Sequence, residues 1–215
     1  MPPEGELPEE LCCRALEQVM RRRRDHRHFL PTPLPKEAIS DLLEAFRYAP
    51  SVGLSQPWGV IVVRSPELRA RLRSSFERVR ARERERFSGA RQERYDQLKL
   101  EAITDAPVGL AVYLLPPPGA TLGTTSMEEA LAYSVVSAIT LLWLRATARG
   151  LGVGWVSLLD PQEAASLLEL PGGSRLIAYL CLGVPARKLD APLLETLGWE
   201  RRRALQVRWE GNGAP

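Results

Sequence analysis

The apolar segment 127–149 constrains the fold of this chain more than any other feature. Ser126 is placed to cap a helix, Glu128 and Glu129 suit its first turn, and Gly150 is a typical residue for its end. A helix that is apolar on nearly every face has to be buried on all sides. In one modest domain, this predicts that a second subunit covers part of the helix and that the protein is a homodimer.

Length and composition indicate a single globular domain over residues 1–215. A hydrophobic content of 45% and a charged content of 26% are ordinary for a soluble protein. The net charge of +3 gives no support to nucleic-acid or membrane binding. The most apolar stretch, from Ala130 to Leu144, is too short to span a bilayer. We therefore expect no nucleic-acid partner and no membrane partner.

The cysteines and the first residues agree with a reducing compartment. Cys12 and Cys13 are adjacent and Cys181 lies far from them, so they form neither a disulfide framework nor a metal-ligand spacing. Residues 1–10 are acidic and rich in proline, without the apolar core of a signal peptide. These features predict a cytoplasmic protein with no metal site.

The remaining pattern predicts helices that alternate with a few strands. Helices are expected over residues 9–22, 36–48, 66–86, 91–103 and 161–168, in addition to 127–149. Strands rich in apolar residues are expected over 58–64, 108–115, 152–158 and 175–184, followed by an irregular tail after Pro185. This order indicates an α+β or mixed α/β domain in which helices pack on a central sheet.

A basic segment with one acid in it follows the first helix. Arg23, Arg24 and Arg27 surround Asp25, and guanidinium groups suit phosphate because their planar forks donate paired hydrogen bonds. A carboxylate among such donors lowers the affinity for phosphate, so its presence calls for a chemical role. The plainer alternative is a solvated basic helix end, since cations are favoured at helix C-termini.

Further motifs stand in the loops that follow. Residues 49–58 read APSVGLSQPW, and residues 150–157 read GLGVGWVS. The alternate glycines of the second motif follow a helix and enter a strand, which excludes a dinucleotide-binding loop of the Rossmann type. Residues 95–101 and 198–202 are charged. The plain alternative to a functional role is a charged surface helix for the first segment and a solvated tail for the second.

Together, in this order, the motifs resemble the FMN-binding signature of the nitroreductase superfamily. Asp25 after two arginines, the apolar Leu54 in place of the asparagine usual in ordinary nitroreductases, and the GWVS sequence ending at Ser157 are similar to one branch, the 5,6-dimethylbenzimidazole synthases. The resemblance implies an FMN-dependent, nitroreductase-like α+β fold, with a central, mostly antiparallel sheet surrounded by helices, in a homodimer. It also implies a lid over about residues 82–105 and a C-terminal extension over 185–215.

The resemblance carries functional roles onto particular residues. Asp25 and Ser157 are the implied catalytic residues, Asp25 assisting carbon–carbon cleavage and proton removal and Ser157 relaying a proton near the flavin. Ser51 is implied to reach the flavin of the partner subunit. At position 26 the resemblance leads us to expect a small apolar residue, but the chain has histidine. We expect the His26 side chain to point away from the flavin. The implied FMN-binding set is Arg23, Arg24, Asp25, His26, Arg27, Ser51, Lys99, Gly154, Ser157 and Arg202.

In this branch reduced FMN is a substrate and is consumed with dioxygen. The implied products are 5,6-dimethylbenzimidazole, for cobalamin biosynthesis, and erythrose 4-phosphate, with a separate flavin reductase supplying the reduced FMN. The first alternative is an NAD(P)H-dependent FMN nitroreductase or flavin reductase. A non-catalytic flavin carrier, or an RNA-binding module that uses the basic residues 21–27, is the alternative from a different class of protein.

Overall fold

The computed structural model describes residues 7–210. In this range the helices are α1 (Glu9–Arg22), α2 (Lys36–Leu43), α3 (Pro66–Arg84), α4 (Gly89–Gln97), α5 (Ala130–Ala148), α6 (Pro161–Leu167) and α7 (Leu193–Thr196). The strands are β1 (Trp58–Val63), β2 (Val108–Leu114), β3 (Gly152–Val156) and β4 (Arg175–Gly183). Two short 3-10 helices, Glu44–Tyr48 and Val52–Leu54, connect α2 to β1.

The four strands form one antiparallel sheet in the order β1-β2-β4-β3. Successive side chains of a strand point to opposite faces. Accordingly Leu180 and Leu182 of β4 pack with α2 and α5, whereas Tyr179 and Cys181 pack on the other face with α3 and α6. The predicted α+β fold, with helices around a mostly antiparallel sheet, is confirmed.

Helix α5 runs across one face of the sheet and is only partly covered by its own chain. Its buried residues are Ser134, Val135, Ala138, Ile139, Leu142 and Ala146. Tyr133 is 58% exposed and Val136 is 38% exposed. In the described part of the chain α5 is also the one helix long and apolar enough to cross a membrane, although its packing on the sheet is that of a core helix. Burial on all sides is therefore not achieved within one protomer.

Several predicted boundaries were wrong. Helix α5 begins at Ala130, and neither Ser126 nor any other side chain caps it, because the preceding residues form separate turns. Helix α4 ends at Gln97 instead of continuing to Ile103, because the chain turns extended at Leu98. The apolar side chains of 98–106 are thereby buried beside the sheet. The tail also contains α7, which was predicted to be irregular.

Candidate functional site

The basic segment forms an extra, short edge to the sheet beside β3. Asp25 makes a parallel bridge with Val153, and the His26 N–H donates to the Val153 carbonyl oxygen at 2.9 Å. The segment is extended here, so alternate side chains point to opposite sides. Arg23, Asp25 and Arg27 line one cavity, while the ring of His26 lines another.

Gly154 allows the segment to lie this close to β3. A Cβ atom at Gly154 would stand 2.1 Å from the His26 carbonyl oxygen and 2.7 Å from Arg27 Nη1. Gly152 is similarly tight, since its Cβ would lie 3.0 Å from the His26 ring. The alternate glycines therefore serve close approach between two backbone segments, which agrees with the exclusion of a dinucleotide-binding loop.

Asp25, Arg27 and the Trp155 backbone form a closed hydrogen-bonded unit. Arg27 Nη2 donates to Asp25 Oδ2 at 2.5 Å and to the Trp155 carbonyl oxygen at 2.7 Å. The Trp155 N–H donates to Asp25 Oδ1 at 2.9 Å. The Arg27 side chain is only 10% exposed and the Asp25 side chain 43%. Arg27 therefore holds the carboxylate from behind, and Asp25 keeps one side open to the cavity.

The pKa of the Asp25 carboxyl is raised above its ordinary value. Desolvation by the surrounding protein is the main cause, and it outweighs the opposing effects of the Arg27 charge, the Trp155 N–H and the Arg23 charge. A carboxylate with a raised pKa is a stronger proton acceptor than an ordinary surface carboxylate. Acids with a raised pKa beside a cavity are candidates for functional sites.

Arg23 and Arg24 are held by α5 and by the backbone. The Arg23 guanidinium lies 5.1 Å from the centre of the Trp143 ring, and Trp143 Nε1 donates to the Arg24 carbonyl oxygen at 3.2 Å. The Arg24 guanidinium donates to the carbonyl oxygens of Arg21, Arg23 and Asp190 at 2.6, 2.8 and 2.7 Å. Arg24 thus satisfies carbonyl groups at the end of α1, in addition to bordering the cavity.

Five of the predicted flavin-binding residues meet at one cavity of 150 Å³. The cavity is lined by Arg23, Arg24, Asp25, Arg27, Lys99, Leu100, Pro192, Leu193 and Leu194. Lys99, which forms an ion pair with Asp105, comes from the segment after α4. Pro192, Leu193 and Leu194 were not among the predicted site residues, although a proline before the short apolar run and Gly198 after it are the signals of a short helix.

Two predicted residues lie beside the segment without entering this cavity. Gly154 is packed under His26, as described above. The His26 ring borders a second cavity of 450 Å³ together with Arg21, Gly150 and Arg187. Burial lowers the pKa of His26, with a further contribution from the cations of Arg24 and Arg27. The His26 side chain thus faces a different cavity from Asp25, and its N–H donates to the Val153 carbonyl oxygen of β3.

The other three predicted residues are not brought to the cavity within one protomer. Ser157 is exposed and follows Trp155 by two residues, about 7 Å of strand. Arg202 lies in the exposed tail. Ser51 accepts a hydrogen bond from the Gln56 N–H at 3.0 Å, in a loop that is tied to α5 by the Val52 N–H and Ser134 Oγ at 3.0 Å.

The position of the Ser51 loop along α5 separates it from Asp25. Trp143, which contacts the basic segment, follows Ser134 by nine residues, or about 13 Å along the helix axis. The loop also exposes Leu54, at 82%. No group of three or more His, Cys, Asp or Glu residues placed to hold a metal ion occurs within residues 7–210.

Comparison with known proteins identifies the family. Residues 20–184 match the model described as "Nitroreductase family". The chain belongs to the nitroreductase family.

Similar curated proteins narrow this relationship. The chain is 44% identical over 190 residues to the 5,6-dimethylbenzimidazole synthase of Rhodospirillum rubrum, covering 87% of this chain and 90% of that one. It is 43% identical over 198 residues to the protein of the same name from Rhodobacter capsulatus, covering 91% and 95%. The solved structure of an iodotyrosine deiodinase bound to FMN and 3-iodo-L-tyrosine superposes with a TM-score of 0.73 at 23% identity, over 91% of this chain and 99% of that chain. The resemblance inferred from the motifs is confirmed.

Replacing Gly154 with Ala tests the close approach of the basic segment to β3. The new methyl group overlaps the His26 carbonyl oxygen, so we expect a loss of about 1–3 kcal/mol in the free energy of unfolding, as in overpacked cores. Guanidinium chloride unfolding measures the loss. The matched control is Gly172→Ala, where a Cβ meets nothing within 4 Å. Equal stability of the two variants would contradict the described contact.

The raised pKa of Asp25 predicts a pH-dependent difference between the wild type and Asp25→Asn. The folded state retains the Asp25 proton to higher pH than the unfolded chain, where the carboxyl titrates near its ordinary 3.8. The wild type should therefore lose unfolding free energy relative to the variant as the pH rises from below 3.8 through the raised folded pKa. Urea unfolding at a series of pH values measures the difference. A relative gain with rising pH would mean that the Arg27 ion pair outweighs desolvation.

Proposed function

We propose that this protein is a 5,6-dimethylbenzimidazole synthase that consumes reduced FMN and dioxygen. The proposed products are 5,6-dimethylbenzimidazole, for cobalamin biosynthesis, and erythrose 4-phosphate. The observation that carries the proposal is a carboxylate with a raised pKa, Asp25, open to a cavity among arginines. The family and the names of the curated relatives support it.

The residues around the cavity suit reduced FMN. Arg23 and Lys99 present cations at the cavity, and among residues 7–210 Arg27 Nη1 is buried without a hydrogen-bond partner. The cavity of 150 Å³ is smaller than the roughly 300–1,000 Å³ usual for ligands of this size, so it accounts for only part of the binding site. We assign the remainder of the binding site to Ser157 and Arg202, and to Ser51 of the partner subunit.

The reduced flavin supplies the reaction with dioxygen, while the protein supplies charge, position and exclusion of water. In the proposed mechanism Asp25 accepts a proton from the ribityl carbon next to the ring, and Ser157 holds a proton near the flavin edge. Arg27 keeps the carboxylate in place through the 2.5 Å ion pair. Such orientation of a catalytic group lowers the entropic part of the barrier.

We propose that the active form is a homodimer with Ser51 reaching the flavin of the other subunit. Apolar side chains are exposed on α5, at Tyr133 and Val136, and at Leu54 in the Ser51 loop, which is hydrogen-bonded to α5 through Ser134. They support this proposal, because exposed apolar surface marks protein–protein interfaces. The incomplete cavity of the single protomer is a second, independent reason. We further propose a cytoplasmic location and a separate flavin reductase as the source of reduced FMN.

Asp25→Asn tests the catalytic role. The amide can still accept the Trp155 N–H, but it loses the charge and the proton-accepting oxygen. We expect benzimidazole formation to fall by about 10²–10⁴-fold, as when acid–base assistance is lost, while FMN still binds. A single-turnover assay with reduced FMN in air follows flavin oxidation and product together.

Asp41→Asn is the matched control, because Asp41 also pairs with arginine, Arg145, but lies outside the cavity. Near wild-type product formation by Asp25→Asn would exclude the proposed role. The same assay distinguishes the proposed synthase from the alternative function. A nitroreductase or flavin reductase oxidises NAD(P)H repeatedly with bound FMN and makes no benzimidazole.

Tyr133→Arg tests the dimer. An arginine on the exposed face of α5 places a charge where the partner is proposed to pack, so we expect dissociation to monomers and a loss of FMN binding. Sedimentation velocity and flavin titration measure the two effects. Gln162→Arg, on the exposed side of α6, is the control. A wild-type protein that is monomeric at micromolar concentration and still binds FMN would disprove the shared site.

A further inference from the structure

The proposed flavin cavity has two walls that come from distant parts of the sequence. Lys99 and Leu100 follow α4, in the segment expected to form a lid. Pro192, Leu193 and Leu194 belong to the start of α7, in the C-terminal extension. Neither wall is a strand of the sheet, so the position of each depends on contacts made by its own segment.

Trp199 joins the two segments. Its ring meets the Phe87 ring edge-on, with centroids 5.1 Å apart, and lies 6.0 Å from the Tyr95 ring. The Arg91 guanidinium lies 4.7 Å from the centre of the Trp199 ring and 5.7 Å from that of Phe87. All three partners of Trp199 are in or next to α4. Aromatic and cation–π contacts of this geometry are favourable beyond the area they bury.

The backbone at the end of α7 directs Trp199 onto α4. Gly198 adopts a left-handed conformation, with φ of 66°, which favours glycine. The Gly198 N–H donates to the Glu195 carbonyl oxygen at 3.0 Å, and the Trp199 N–H to the Leu194 carbonyl oxygen at 2.8 Å. This pair of bonds is the Schellman motif. Trp199 is thus bonded directly to Leu194, which lines the cavity.

The other side of the contact is also firmly held. Tyr95 is 2% exposed, and its hydroxyl donates to Glu83 Oε2 of α3 at 3.0 Å. Arg84 of α3 makes two hydrogen bonds to the Asp96 carboxylate, at 2.6 and 2.8 Å. Bidentate pairs of this kind add directional specificity. Helix α4 is therefore fixed on α3, and Trp199 extends this connection to the C-terminal wall.

We propose that Trp199 is a positioning residue that locks the C-terminal wall to the lid, so that the two walls open and close as one unit. This rests on the proposed function, in which the reacting flavin has to be kept from water. In this proposal Gly198 permits the left-handed turn at the end of α7, and Trp199 makes the contact with α4. Loss of the contact should leave Asp25 and Arg27 in place but open the cavity.

Hydrogen exchange of Trp199→Ala tests the lock without reference to activity. We expect exchange to become about tenfold faster both in residues 192–199 and in residues 95–100, as when an aromatic pair and a cation–π contact are lost. Trp199→Phe should retain most of the protection. Trp209→Ala is the matched control, because Trp209 is 69% exposed. Faster exchange in 192–199 alone would overturn the coupled movement.

The second measurement is the yield of benzimidazole per FMN oxidised in the single-turnover assay. Trp199→Ala should oxidise FMN with a lower yield of product, Trp199→Phe should recover the yield, and Trp209→Ala should match the wild type. A wild-type yield in Trp199→Ala, despite faster exchange in both segments, would overturn the shielding role. A wild-type protein that makes no benzimidazole would refute the proposed function, whereas the exchange experiment would still decide whether the lock exists.

Discussion

The pairing of the Arg23–Arg27 segment with the edge of β3 is the interaction on which the rest of the site depends. It exists because Gly154 has no side chain, so that the His26 carbonyl oxygen can lie where a Cβ would otherwise stand. The pairing sets the alternation that sends Asp25 to one cavity and His26 to another. It also brings both backbone groups of Trp155 to the Asp25–Arg27 pair.

Asp25 lies among arginines, but not all of their hydrogen-bond donors are directed to its carboxylate. Arg27 is committed to Asp25 and to the Trp155 carbonyl, and Arg24 is committed largely to backbone carbonyls. The charges of Arg27 and Arg23 lower the pKa of Asp25, but desolvation by burial outweighs them and raises it. A sequence with several arginines beside an aspartate suggests the opposite, a lowered pKa, because the burial that desolvates the carboxyl is not visible in it.

The prediction of secondary-structure elements succeeded where the signal was local. The four strands follow from apolar periodicity. The structure also brings Arg23, Asp25, Arg27 and Lys99 to one cavity, and the family resemblance had implied these residues at the flavin. Helix ends were less accurate, because the chain leaves the helix at Leu98 and then turns, which buries Leu98 and Ala102. The cavity wall at Leu193 and Leu194 was missed since four helical residues give almost no periodic signal.

The sequence by itself determined the fold class, the family and the presence of an acid among arginines, since these depend on residue types and on short spacings. Only the tertiary structure decided which side chains share a cavity, which arginines are already engaged, and that Trp199 joins two segments about a hundred residues apart in the chain. The physical reason is that packing and desolvation depend on neighbours brought together by the whole fold, whereas propensity and alternation act over a few residues.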